Sequence, residues 1–457
     1  MNTQPAIKLP SLKSDFGPLL KITMPLILTG ALQSSLGFFE NLFLAHLGQQ
    51  VLAASALVSW LFYTMISIIF GIFSSVNVII SHQYGAKDDV GISLAVRDAV
   101  LFAIILTPLA FFLFWNAADI YLLFGQKPEL ADLARLYLHG LAWGLFPKFI
   151  LIVAFELLIG LGHTRLVMIV SIVSIPFYIL LSYVLIFGKF GFPMLAIAGA
   201  GWGMTIADWI ITTIVCILLW FSKTYRQYVR SIFTFSTPLY IHKMLHLGIP
   251  MGVMYCVETG YFFLMTICMG WISIPTLAAN QIAMQYLGFL TSVVFATAQG
   301  ITVRMGHLLG ANEINAAKRA AYSGIIFSLI FMMIIAILYW LFPKWLISVD
   351  LNINNPINSE VVHLATLFLF ISAFFQILES MRLSLFGALR GLKDTQFTLI
   401  TSIICFWCIA LPIGYLFSIP LDHGGQGFWW AMVAGAFLSV VLLFKRFNLM
   451  ISSQTTL

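Results

Sequence analysis

Two carboxylates stand in sequence otherwise suited to hydrocarbon. Glu258 lies within IPMGVMYCVETGYFFLMTICMGW and Glu379 within LATLFLFISAFFQILESMRLSLFGAL, in a chain that is only 9% charged. An ionised acid at the centre of a bilayer costs roughly 2.5–3.5 kcal/mol on insertion scales. Such a group persists where it faces a partner, an aqueous cavity or a cation in transit. The pair therefore points to a buried site that handles cations.

Neighbouring residues define what that site can do. Glu258 follows Pro250 by eight residues, about two helical turns, and a proline can bend a helix and free a carbonyl as an extra ligand. Asn280, Gln281 and Gln285 fall in the next apolar stretch, with Gln281 and Gln285 one turn apart on one face. Two carboxylates and a carboxamide suit an oxygen-lined Na⁺ site at Glu258 and Glu379, or a pair that carries a proton. The alternative is a structural ion pair, and Arg382, at i+3 from Glu379, supplies a partner for it. Glu40 is the candidate acid of the first half, near the non-cytoplasmic end of its stretch, where headgroup exposure is an equal alternative. Asp208 and Glu156 are further intramembrane acids, and Lys148, two turns before Glu156, is expected to offset it.

The elements that must hold these side chains follow from composition. The 457-residue chain is 61% hydrophobic with a mean hydropathy of +1.00, whereas soluble domains average about 45–50% apolar and 25% charged residues. Its charge is confined to gaps between apolar runs long enough to span a bilayer. The fold class expected is an all-α polytopic membrane protein. Twelve spans are predicted, at about 18–46, 51–81, 93–116, 129–159, 164–187, 198–221, 244–270, 276–304, 315–342, 358–388, 395–418 and 426–446. The ten-residue alternation of a membrane β-barrel is absent. The N-terminal segment MNTQPAIKLPSLKSDFGPLL lacks a cleavable-signal pattern, so the first span is expected to serve as its own insertion signal.

Seventeen of the 23 Lys and Arg residues, from Lys8 to Arg446, fall on one side of this topology, and four (Lys127, Arg135, Lys189, Lys344) on the other. The positive-inside bias then places both termini in the cytoplasm. The net charge of +6 reads as a topology signal; no nucleic-acid partner is expected, since the basic residues form no motif or soluble module. All five cysteines lie in apolar spans, and Cys405-x-x-Cys408 lacks the context of a redox or metal motif.

An internal repeat organises the chain. A shift of 225 superposes Pro25 on Pro250, Leu52-Ala53-Ala54 on Leu277-Ala278-Ala279, His82 on His307 and Gly85-Ala86 on Gly310-Ala311. Gly160-Leu161-x-x-Thr164 resembles Gly391-Leu392-x-x-Thr395, and Gly199-x-Gly201 meets Gly425-x-Gly427. Each half holds six spans, an even number, so the halves share polarity and should pack about an axis along the membrane normal with a path between them. The expected division is a lobe over 1–221, a basic linker over 222–243 and a second lobe over 244–457. No Walker A motif, Rossmann fingerprint or nucleophile–base arrangement appears, so an enzyme is not expected and an ion gradient would supply the energy for active transport. The 41 Phe, 18 Met and 12 Trp residues mostly face lipid or pack helices, though those along a path would suit amphipathic cations.

In the stretches HLGQQVLAASAL (46–57), IFGKFGFPMLAIAGAGWG (186–203), GIPMGVMYCVE (248–258), LAANQIA (277–283), RMGHLLGANE (304–313) and GALRGLKDTQ (387–396), the chain resembles the multidrug and toxic compound extrusion (MATE) family over nearly its whole length. The resemblance implies twelve helices in two pseudo-symmetric six-helix lobes and a secondary antiporter of the prokaryotic cytoplasmic membrane. It would export hydrophobic organic cations in exchange for H⁺ or Na⁺, act among membrane lipids as a monomer, and need no cofactor beyond the coupling ion. By position, Glu258 looks like the family's helix 7 acid, Glu379 like its helix 10 acid and Gln281 like a coordinating amide. Glu40 falls where many bacterial members carry Asp. Ser182 and Phe375 depart from an Asn and a Tyr found in relatives, and Arg382 is not expected beside the helix 10 acid. Two other readings remain: a flippase for lipid-linked precursors, disfavoured because only Lys148 and Arg382 are basic within spans, and a non-transporting receptor or scaffold.

Overall fold

The computed structural model describes residues 12–233, 237–353 and 355–455; Lys8 and part of the linker lie outside them. Its helices are apolar around most of their circumference, as hydrocarbon-facing helices must be. The first lobe comprises α1 (Leu12–Ala45), α2 (Gln49–Gly85), α3 (Asp89–Leu123), α4, α5 (Thr164–Phe187) and α6 (Ile197–Phe221). The α4 span is two helices, Pro128–Ala142 and Leu145–Gly160, bent by 51° at their junction. Two α6 hydroxyls lie along the bend, with Thr205 donating to the Gly140 carbonyl and Thr212 to that of Pro147. The second lobe comprises α7 (Ile241–Ile272), α8 (Ile274–Gly310), α9 (Ile314–Leu341), α10 (Ser359–Gly391), α11 (Gln396–Ser418) and α12 (Gly425–Thr455). Eleven described helices are long and apolar enough to cross a membrane by length and composition, and twelve if the bent pair is counted as one span.

Pro250 lies inside α7, which continues as one helix through that residue. In α11, residues Ile403–Ala410 form a π-helical segment ahead of Pro412, whose missing N–H removes one regular bond. Each lobe has its own hydrophobic core, one centred on α2–α6 and the other on α7–α12.

Four turns at the end of the bundle where α1 begins, here called the basic end, share one design. After α2, α4, α8 and α10 the chain turns through one residue of positive φ: Lys87 (57°), Gly162 (76°), Asn312 (60°) and Lys393 (64°). The same pair of backbone bonds closes each turn, as in Ala86 N to His82 O and Asp88 N to Gln83 O, mirrored by Ala311 N to His307 O and Glu313 N to Leu308 O. The repeat therefore extends to backbone conformation.

These turns join the lobes. His82 Nε2 donates to the Gly391 carbonyl at 2.8 Å, and His307 Nε2 donates to the Gly160 carbonyl at 2.7 Å. Each bond crosses from one lobe to the other, and the repeat relates one to its partner. Gly85 and Gly310 permit the approach, because a Cβ on Gly85 would strike the His307 carbonyl and one on Gly310 that of His82. Along α2 every residue from Phe73 to Ser81 is buried, and along α8 every residue from Ala296 to Val303. Burial around the whole circumference means both lobes enclose these segments. Toward the opposite end the same helices are exposed at Leu52, Trp60 and Tyr63, and at Gln281, Gly288 and Phe289. The lobes meet tightly at the basic end.

Candidate functional site

Two helices of the second lobe, α7 and α10, bring Glu258, Glu379 and Arg382 together, and α11 packs beside them. Arg382, one turn along α10 from Glu379, holds it with two bonds, Nε to Oε2 at 2.7 Å and Nη2 to Oε1 at 2.5 Å. Its remaining terminal nitrogen, Nη1, donates to Glu258 Oε1 on α7 at 2.6 Å. Ser402, just ahead of the π segment of α11, donates to the same oxygen at 3.1 Å. The guanidinium is sandwiched between the rings of Phe386 and Phe406, 4.7 and 4.9 Å from their centroids. Trp407 Nε1 captures the Val257 carbonyl at 2.8 Å, fixing α11 against α7 beside the acid. The π segment thus aims Phe406 at the arginine and Trp407 at α7.

Arg382 is only 1% exposed, and its two carboxylate partners offset the cost of burying a guanidinium that stays charged. With both acids ionised the triad carries one net negative charge. Glu379 spends both oxygens on Arg382. Glu258 spends only Oε1; its Oε2 has no hydrogen bond among the described residues, and its side chain keeps 15% exposure. Of the two acids, Glu258 is the more exposed.

Gln281 does not join this cluster. It is exposed on α8, and counting helical rise from the α7–α8 turn puts it roughly 10 Å shallower than Glu258. Gln285 reaches Asp350 instead, at 3.4 Å.

The first lobe holds a separate polar network. Glu40 is buried, 8% exposed, so the headgroup-exposed alternative is corrected: the α4 helix covers it, and Tyr137 donates to its Oε1. It borders a tight crevice lined by Leu36, Phe39, Phe43, Ile179, Ser182 and Met204. The expected Lys148–Glu156 pairing is also corrected. Lys148 Nζ pairs with Asp208 Oδ1 at 2.9 Å, which Tyr178 also caps, while Glu156 accepts from Asn77 Nδ2 at 2.5 Å. Residues two turns apart on one helix share a face but stand about 12 Å apart along it, whereas α6 brings Asp208 directly alongside Lys148. Sequence reasoning missed Ser402, Phe406, Tyr137, Tyr178 and Asn77. A polar or ring side chain inside a span was the available signal, and without tertiary contacts nothing selected these from the many others.

Comparison with known proteins agrees with this architecture. The MatE family model matches residues 25–184 and 250–416, one block per lobe. A Pseudomonas aeruginosa protein named "Probable multidrug resistance protein NorM" is 30% identical over 440 residues, covering 94% of this chain and 88% of the relative. A protein of the same name from Rhizobium meliloti is 30% identical over 444 residues, with 95% and 93% covered. Among solved structures, an outward-facing MATE transporter of the MOP superfamily superposes with a TM-score of 0.88 at 17% identity over 97% of each chain. The two matched blocks, the relatives' full-length coverage and the paired six-helix lobes lead to one assignment: this chain belongs to the MatE family.

Proposed function

We propose that this chain, a multi-pass membrane transporter by family, exports amphipathic organic cations from the cytoplasm in exchange for protons taken up at Glu258. The basic end is the cytoplasmic end in this reading, as the positive-inside bias favours. The relatives' name, multidrug resistance protein, supports the substrate class. The carrying observation is the Glu258–Arg382–Glu379 triad, whose single surplus negative charge rests on the one carboxylate with an unbonded oxygen.

That geometry favours H⁺ over Na⁺. The space between the two carboxylates, where a Na⁺ ion would take oxygens from both, holds a guanidinium. A sodium ion at Glu258 alone would sit beside that positive charge with few oxygen ligands. A proton needs only one oxygen and leaves a neutral Arg382–Glu379 pair behind. Proton binding weakens the Arg382–Glu258 bond, which ties α10 to α7, and so provides a link between ion uptake and helix movement. With the lobes open to the cytoplasm, the cation binds between them; they then rock to face outward, a proton displaces it, and the lobes return.

The test is efflux of a fluorescent lipophilic cation from proteoliposomes with the pH and Na⁺ gradients imposed separately. Export driven by the pH gradient and abolished by Glu258→Gln or Glu379→Gln supports the reading; export driven by Na⁺ alone, or retained in both variants, rejects it.

A further inference from the structure

Lys21 of α1 and Arg165 of α5 line one open groove at the basic end, with a volume of about 420 Å³. The backbone holds the two cations together. Pro25 stands four residues after Lys21, and its missing N–H leaves the Lys21 carbonyl without its regular helical partner. The hydroxyl of Thr164, the buried first residue of α5, donates to that carbonyl at 3.4 Å. Arg165 follows directly. Both cationic residues are exposed, and their side chains make no hydrogen bond or ion pair among the described residues.

The groove has a polar end and an apolar one. Gly17, Lys21, Met24 and Leu28 recur at the spacing of one helix face, and Leu28 lies roughly 10 Å deeper than Lys21 along α1. Met168, one turn into α5 from Arg165, also lines the apolar part. Beside the cations there is room, because a Cβ on Gly17 would meet nothing within 4 Å. This face of α1 is turned from the second lobe: Thr23, on another side of the helix, is what a Cβ on Gly300 of α8 would strike. At membrane depth it therefore fronts lipid. The internal repeat does not dictate the two charges, since the corresponding positions of the second lobe are His246 and Gln396.

We propose that this groove binds an anionic phospholipid of the leaflet at the basic end, with Lys21 and Arg165 holding the headgroup and an acyl chain lying along Met24, Leu28 and Met168. Charge complementarity selects the occupant. Two adjacent cations favour a net negative headgroup over a zwitterionic one, and a guanidinium can take two phosphate oxygens at once. The apolar floor at the depth of the bilayer suits a chain and gives a soluble anion nothing to bury. The site is independent of the triad and of the export reading, and needs only that the chain is embedded in a membrane.

The test is native mass spectrometry of the purified full-length protein, titrated with dioleoyl phosphatidylglycerol and with dioleoyl phosphatidylcholine, which share their chains and differ in headgroup charge. The wild type is expected to prefer phosphatidylglycerol, and Lys21→Gln/Arg165→Gln to lose about tenfold or more of that preference. Lys223→Gln/Lys445→Gln removes as much charge from exposed positions at the same end, outside the groove, and should keep it. Gly17→Leu fills the space beside the cations without touching either, and is expected to weaken phosphatidylglycerol binding. Equal losses in the two double variants would show diffuse surface charge and overturn the site, as would an unchanged preference in Lys21→Gln/Arg165→Gln. Displacement of the lipid by inorganic phosphate at matching concentration would reduce the groove to a simple anion site and also overturn the proposal.

Discussion

Arg382 bridges Glu258 and Glu379, donating to α7 at 2.6 Å while two further bonds hold its own helix neighbour. The arrangement turns two acids into a unit with one spare charge. Removing the arginine should therefore do more than remove an ion pair. Arg382→Gln leaves two carboxylates facing one another in a buried site, and breaking a buried pair costs about 3–5 kcal/mol. The variant should melt lower in detergent, and added NaCl but not choline chloride should restore part of the loss, because the site now has room and charge for Na⁺. The wild type should show no such ion-specific stabilisation.

The histidine bonds between the lobes should set the conformational balance. Each is a single hydrogen bond with a net value of about 0.5–1.5 kcal/mol. His82→Ala and His307→Ala should each raise hydrogen exchange at the basic ends of α2 and α8, and the double variant should exceed either. Unchanged exchange in the double variant would show that the seal depends on other contacts.

The α2–α7 crossing depends on glycine. A Cβ on Gly252 would stand 2.6 Å from the Ile68 carbonyl oxygen, whereas one on Gly17 meets nothing within 4 Å. Gly252→Ala should destabilise by about 1–3 kcal/mol through overpacking, and Gly17→Ala should be neutral or slightly stabilising. Thermal melts of the two variants compare them directly.

Lys148 and Asp208 should behave as a coupled pair. Lys148→Met strands the buried Asp208 carboxylate, and Asp208→Asn strands the ammonium. The double variant should be less destabilised than the sum of the singles, with a coupling of about 1–3 kcal/mol in a double-mutant cycle. Additive losses would show that Tyr178 alone satisfies Asp208.

Much of this architecture is legible in the sequence, because apolar run length and the 225-residue repeat are one-dimensional signals. The repeat located the histidines and the Gly-Ala turns that join the lobes, though their reciprocal bonding appears only once the helices are packed. Glu258 and Glu379 were recognisable from their cost in hydrocarbon. Arg382 was visible as the i+3 partner of Glu379, but its reach to Glu258 depends on how α7 lies against α10. The same limit explains the wrong partner expected for Lys148 and the alternative left open at Glu40. Proximity along one helix suggested Glu156 for the lysine, and a position near a helix end left exposure as an equal alternative for Glu40; neighbouring helices decided both. Position within the family's sequence marked Gln281, and the depth of α8 separates it from the triad.

The most direct measurement is the number of protons released when purified protein binds tetraphenylphosphonium in weakly buffered solution. A triad with one exchangeable charge predicts, at a pH where that charge carries its proton, about one proton per cation bound in the wild type and none in Glu258→Gln. Release that persists in Glu258→Gln, or a wild type that binds the cation with no proton release at any pH, would contradict it.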